Sequence, residues 1–160
     1  EILEPEYYGK MPKNFISLLS NYKIKLLYYN LPLLSSWNKR RRYYAKVYKD
    51  NLNEEIGYHL IQNIRNSIPL HYPLIINGDS DDLYYYLMKK NIYADRWFNP
   101  QLYPSPKDMK KFQYKNKDFP IANDLSHRVL SLPLSPTLSS NEILKICDEI
   151  NNFYSSDRSF

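Results

Sequence analysis

The chain has 160 residues, 43% of them hydrophobic and 24% charged, and a mean hydropathy of −0.62; this suits one domain with an ordinary core and argues against a membrane protein or a wholly disordered chain. Lys and Arg number 22 against 17 Asp and Glu, and the net charge of +5 permits an anionic partner without naming one. The 3 glycines, Gly9, Gly57 and Gly78, are too few to build either glycine-rich phosphate loop, G-x-G-x-x-G or G-x-x-x-x-G-K-[ST].

The opening stretch, with Pro5 and Gly9 as breakers, reads as a turn. From Phe15 the residues Ile16, Leu18, Leu19, Tyr22, Leu26 and Leu27 recur at three- and four-residue steps, which predicts a helix with one apolar face. Asn30 to Pro32 breaks it. A second helix is predicted from about Leu34 to Leu52, with Trp37, Arg41, Tyr44, Ala45, Tyr48 and Leu52 on one stripe, and the pair should fold back as antiparallel helices. The segment SIPLHYPLIIN, from Ser67 to Asn77, is short and proline-punctuated and reads as a strand near a sheet edge. Asn77-Gly78 ends it. Asp79 to Asp82 form the acidic first turn of a helix that buries Leu83, Tyr84, Leu87 and Met88, with Lys89 and Lys90 at its other end.

Asn91 to Phe98 reads as a further strand, followed by a proline-rich polar loop. Pro120 to His127 has the layout of a short helix, and Val129 to Leu132 that of a short strand that Pro133 and Pro136 prevent from extending. In the last helix, Ser139 and Glu142 stand in capping-box spacing ahead of the apolar face Ile143, Ile146, Cys147, Ile150, Phe153 and Tyr154. The tail beyond Tyr154 should fray. This order of elements predicts an α/β or α+β domain.

Chemistry-bearing residues are sparse. His59, His71 and His127 fall on different elements with no metal-ligand spacing, Cys147 sits on a core-facing stripe, and nothing selects a serine nucleophile, so neither a metal site nor a catalytic residue is predicted. The acidic turn at Asp79, Asp81 and Asp82 is explained by the helix dipole. Lys39-Arg40-Arg41-Arg42 reads either as a solvated helix face or as a nucleic-acid patch, and the solvated face is favoured. The single Cys147 cannot close an intramolecular disulfide, so a reducing, cytoplasmic compartment is expected. No apolar run approaches the roughly 20 residues of a membrane helix, and no signal-peptide layout opens the chain. A start at Glu1 rather than methionine suggests a fragment.

The segment FPIANDLSHRVLSLPLSPTLSSNEILKICDEI, from Phe119 to Ile150, closely resembles the end of the DegT/DnrJ/StrS-type sugar aminotransferases. NKRRRYYAKVYKDNL, from Asn38 to Leu52, and DDLYYYLMKKNIYADRWFNPQLYP, from Asp81 to Pro104, resemble two earlier stretches of the same family in the same order. The resemblance implies the small C-terminal domain of a fold-type I pyridoxal-phosphate transferase, a short sheet packed with helices and preceded by two long helices. It divides the chain into linking helices over 1–55, the small domain over 56–155 and a frayed tail over 156–160. In the intact parent it implies a homodimer, pyridoxal phosphate as cofactor and a nucleotide-sugar substrate, with an amino group passing from an amino acid to a keto sugar in polysaccharide biosynthesis. The chain alone is expected to hold no cofactor and to be inactive.

Four site residues follow from the resemblance. YYGKMPKNF, from Tyr7 to Phe15, occupies the place of a family turn that reaches the cofactor phosphate of the neighbouring subunit, with Tyr8 where the family has asparagine and Lys10 where it has arginine. Arg96 and Tyr103 fall where the family faces its substrate, Tyr103 in place of a histidine. These departures suggest a divergent member and leave open a non-catalytic interaction domain of the same fold. A basic nucleic-acid-binding module is a third and weaker reading.

Overall fold

The computed structural model describes residues 4–12, 17–61, 63–97, 99, 102 and 115–156. Among the described residues are five α-helices and three strands, in order α1 (Asn21–Asn30), α2 (Leu34–Asn51), β1 (Gly57–His59), β2 (His71–Ile76), α3 (Asp81–Lys89), α4 (Pro120–Arg128), β3 (Val129–Pro133) and α5 (Ser140–Ser156). The sheet is antiparallel throughout, in the order β1-β2-β3. Mixed helix and sheet is the predicted class.

Register follows from side-chain alternation. Tyr72 lies opposite Leu132 and Leu74 opposite Leu130, and these four residues are buried in one core with Tyr44, Ala45 and Tyr48 of α2, Leu83 and Leu87 of α3, and Ile143, Ile146, Cys147 and Ile150 of α5. Three helices therefore share one face of the sheet. Two phenols reach through that core to backbone carbonyls: Tyr48 Oη donates to the Pro133 oxygen at 3.0 Å, and Tyr44 Oη donates to the Leu138 oxygen. Buried tyrosines need such partners, because an unsatisfied hydroxyl costs about 1–3 kcal/mol.

Three predicted elements take a different form. The first helix begins at Asn21, where Ser20 Oγ accepts the Lys23 amide at 3.4 Å, while Phe15 and Ile16 lie outside the described residues. It does not fold back on α2. Asn30, Leu31, Leu33 and Leu34 all keep right-handed helical dihedrals, and a 3-10 turn over Leu31–Leu33 joins the helices end to end. Pro32 sits at the start of that turn, where its fixed φ and missing amide fit a helix that is beginning. None of the residues of α1 is buried.

β2 is the central strand rather than an edge. The proline is tolerated because β1 is short: its last pair is His59 with Leu74, so Pro73 lies one step beyond it and no β1 partner is lost. The described part of the predicted strand at Asn91 to Phe98, residues 91–97, is not a strand, and Phe98 lies outside the described residues. Asn91 takes a left-handed φ of 58°, its amide donates to the Met88 oxygen at 3.0 Å and that of Ile92 to the Leu87 oxygen at 2.9 Å, a Schellman ending of α3 with Ile92 and Leu87 both buried. Among the described residues of this segment only Asp95 pairs with β3, its N–H and C=O both bonded to Ser131 at 2.9 and 2.8 Å.

From Pro120 the described chain follows its local signals. Pro120 starts α4, which runs directly into β3. At the head of α5, Ser139 Oγ accepts the Glu142 amide at 3.2 Å and Glu142 Oε2 accepts the Ser139 amide at 2.7 Å; the capping box is complete. Burial pushes the Cys147 thiol up to about 12, which leaves it protonated and inert as a core side chain.

Candidate functional site

The predicted substrate-side arginine is set by the sheet edge. Asp95 is held on Ser131, and the next residue, Arg96, folds back onto the first turn of α3. Its guanidinium pairs with the Asp81 carboxylate and lies over the Tyr84 ring, 4.2 Å from its centroid, with Tyr85 at 5.5 Å. Trp97 then packs on His71 at 5.0 Å between ring centroids. A planar cation held between a carboxylate and an aromatic face is a positioned group. Tyr103, the other predicted substrate-side residue, lies outside the described residues.

Asp81 thus has two tasks. It occupies the positive end of α3 and it holds Arg96. Asp79 Oδ1 accepts the Asp81 amide at 2.9 Å, and the amide and hydroxyl of buried Ser80 both donate to the His127 oxygen at 2.9 and 2.8 Å, which ties the start of α3 to α4. The acidic turn is accounted for by these bonds.

Tyr8 closes a 3-10 turn over Glu4–Tyr8. Gly9 adopts φ 65°, which a side chain would strain, and its amide bonds the Glu6 oxygen while the Lys10 amide bonds the Pro5 oxygen, both at 3.0 Å. Tyr8 is half-buried and the Lys10 side chain is exposed. The turn presents a cation to whatever covers it.

The basic run at 39–42 is largely spent inside the molecule. Arg40 Nη1 donates to the Pro136 oxygen at 2.8 Å, Arg41 Nη1 to Asn38 Oδ1 at 3.2 Å and Arg42 Nε to the Ser67 oxygen at 3.1 Å. Arg40 and Arg42 tie α2 to the segments around it, while Arg41 bonds within the helix. A second basic feature was not foreseen: a groove beside α2 collects Arg42, Lys46, Lys49 and Arg65. The three α2 members recur at helical period, and that spacing is the signal that could have found them.

His59 gives the domain a pH-sensitive joint. The hydroxyl of fully buried Tyr72 lies 2.6 Å from His59 Nδ1, and burial raises the phenol well above its ordinary range, so the hydroxyl stays protonated beside the ring. Burial, helped by Lys49 on α2 and opposed by Glu54, lowers the His59 pKa from its ordinary 6.5. A histidine lowered in the fold binds fewer protons there than when unfolded, so its stabilisation is present above pH 6.5 and is lost as pH falls through the folded value. Urea midpoints should therefore drop on acidification below that point, and His59→Gln should flatten the dependence; an unchanged profile in the variant would remove His59 from the account.

Comparison with known proteins starts from this geometry. The sequence profile of the DegT/DnrJ/EryC1/StrS aminotransferase family matches residues 6–151. The chain belongs to this family. It is 30% identical over 120 residues to GDP-perosamine synthase of Escherichia coli O157:H7, covering 72% of this chain and 31% of that protein. It is 24% identical over 148 residues to dTDP-3-amino-3,6-dideoxy-alpha-D-galactopyranose transaminase of Aneurinibacillus thermoaerophilus, covering 91% of this chain and 39% of that one. The fold is shared with the sugar aminotransferase Spr1654 of Streptococcus pneumoniae in its PLP form, at a TM-score of 0.68 and 18% identity over 79% of this chain and 33% of that one. The chain therefore spans roughly a third of the length of its relatives.

Membership raises the question of whether these residues fit the family's cofactor. The described residues do not form a cradle for it. An aldehyde cofactor needs a lysine desolvated inside a pocket so that its amine is free to react, and every described lysine is exposed. What the described residues offer is narrower: the Lys10 cation on its turn and the Arg96 guanidinium on α3. No described helix is long and apolar enough to cross a membrane.

Proposed function

We propose that this chain is the small C-terminal domain, with its linking helices, of a nucleotide-sugar aminotransferase. Residues 1–55 link and residues 56–155 form the domain, although the buried face of α2 shows that the linker is packed into the core it serves. The parent would be a cytoplasmic homodimer that uses pyridoxal phosphate, which acts as an electron sink when amino groups are transferred, and would move an amino group from an amino acid to a keto sugar. Tyr8 and Lys10 would face the cofactor phosphate of the neighbouring subunit, and Arg96 and Tyr103 the substrate.

The observation that carries this reading is α1. Tyr22, Tyr28 and Tyr29 on it are each more than 70% exposed, and Ile24, Leu26 and Leu27 are exposed beside them. An apolar helix with no buried residue is built to be covered, and a chain that is a third of its relatives' length has the rest of that fold to cover it.

The test is a chimera in which this chain replaces the matching third of GDP-perosamine synthase. It should fold, dimerise and transfer an amino group to a keto-sugar nucleotide, whereas this chain alone, mixed with pyridoxal phosphate, should give no visible lysine-imine band. A strong band from the chain alone, lost on substitution of one of its lysines, would refute the assignment. Tyr8 and Lys10 in place of the family's asparagine and arginine favour a second reading, an interaction domain that kept the fold without the chemistry. A chimera that folds and dimerises but does not transfer, and recovers transfer with Tyr8→Asn and Lys10→Arg, would select it.

A further inference from the structure

We propose that Asn77 is a site of spontaneous modification, at which the side-chain amide converts to a carboxylate and the conversion unfastens the start of β1. Of the chain's asparagines it alone precedes a glycine. Asn77 and Gly78 are both exposed, in the bend between β2 and α3.

The reaction needs only water and base. The Gly78 amide nitrogen, deprotonated by hydroxide, attacks Asn77 Cγ. A bond from that nitrogen to Cγ forms, the bond from Cγ to Nδ2 breaks, and Nδ2 takes a proton from water and leaves as ammonia. Water then opens the cyclic imide at either of its carbonyls, which gives aspartate or isoaspartate with nothing oxidised or reduced. Asparagine counts among the thermolabile residues, and a following glycine has no Cβ to crowd the attacking nitrogen. Gly78 stands at φ 114° in open space, with nothing within 4 Å of where a Cβ would be.

The bonds that Asn77 makes determine what the conversion does. Its main-chain amide donates to the Ile56 oxygen and its Nδ2 to the Glu55 oxygen, both at 2.9 Å. These two bonds latch the end of β2 to the 3-10 turn Glu54–Ile56, and β1 begins at the next residue. With three residues at the edge of the sheet, β1 depends heavily on how it is entered. A carboxylate has no proton to donate. In place of Nδ2 it sets a charged oxygen against the Glu55 carbonyl, and it adds a negative charge to a turn that already carries Glu54 and Glu55. Isoaspartate also lengthens the main chain just ahead of Ser80, whose amide and hydroxyl bond the His127 oxygen, and of Asp81, which holds Arg96.

The latch also sets the pace. With Nδ2 held on the Glu55 oxygen the side chain is fixed, so attack by the Gly78 nitrogen waits for a local opening. The fold slows the reaction and the reaction loosens the fold, which makes the change one-way.

Incubation of the whole chain at mildly alkaline pH, followed by peptide mapping with mass spectrometry, tests the site, and it does not depend on the aminotransferase reading. Aspartate and isoaspartate should accumulate at residue 77 ahead of the exposed Asn66 and Asn141, and faster as pH rises. In urea-unfolded chain at the same pH the rate should be about tenfold higher or more, because no latch has to open. Asn77→Asp, the product made directly, should have a lower urea midpoint than Asn77→Ala, which loses the bond without adding the charge. No conversion at residue 77 in the folded chain, equal rates in folded and unfolded chain, or an Asn77→Asp midpoint at or above that of Asn77→Ala would each overturn the proposal.

Discussion

Gly57→Ala is expected to cost about 3 kcal/mol of stability, at the upper end of what overpacking a close-packed site produces. The reason is a backbone approach and not a backbone angle. Gly57 is extended, at φ 168° and ψ −164°, a conformation open to any residue. A methyl group there would come 1.9 Å from the Ile75 oxygen and 2.8 Å from its carbonyl carbon, far inside contact distance. The obstacle is main chain, so no side chain can rotate away. β1 must lift from β2, and the bond from the Asn77 amide to the Ile56 oxygen at 2.9 Å is strained with it. Urea denaturation of the alanine variant checks this; a loss below about 1 kcal/mol would mean that β1 shifts freely and that the sheet does not depend on its pairing.

Tyr48→Ala is expected to cost somewhat more, about 4 kcal/mol, in the range for deleting a large buried aromatic side chain. Tyr48 is fully buried, its ring lies 5.1 Å from that of Tyr72, and its hydroxyl is the donor to Pro133. Tyr48→Phe separates the two contributions, since it keeps the ring and removes the bond, and should cost about 1 kcal/mol. Near-equal losses in the two variants would assign the stability to the hydrogen bond rather than to the filled volume. Thermal or urea unfolding of both proteins decides it.

What was legible in the sequence was what neighbouring residues decide. The capping box at Ser139 and Glu142, the proline start of α4 and the apolar stripes of α2 and α5 all rest on groups within one or two helical turns of each other. What was not legible depends on distant partners. β1 is three residues, Gly-Tyr-His, too short to show alternation, and it exists because residue 57 meets residue 76 across the sheet. The presence of β1 also moves β2 from edge to centre. Asn91 was readable as a helix end, since asparagine accepts a left-handed φ, but the alternating apolar residues after it resemble a strand that only Asp95 honours.

The same division holds for the candidate site. The position of Arg96 came from a resemblance, while its clamp between Asp81 and Tyr84 depends on a chain reversal that joins residues 15 apart. The run Lys39 to Arg42 was conspicuous because its charges are adjacent in sequence. Adjacent residues on a helix point in different directions, so Arg40, Arg41 and Arg42 reach three different partners, and the groove's cations converge instead from positions 42, 46, 49 and 65.

The end-to-end junction at Leu31–Leu33 makes α1 a lever. From Asn21 to Asn51 the helical path runs roughly 45 Å at 1.5 Å per residue, with its far end bare and its near end sunk in the sheet's core. A tilt of the sheet by about 5° about that core would sweep the tip through roughly 4 Å over this length. A load on α1 is thereby carried through α2 into the core under the sheet.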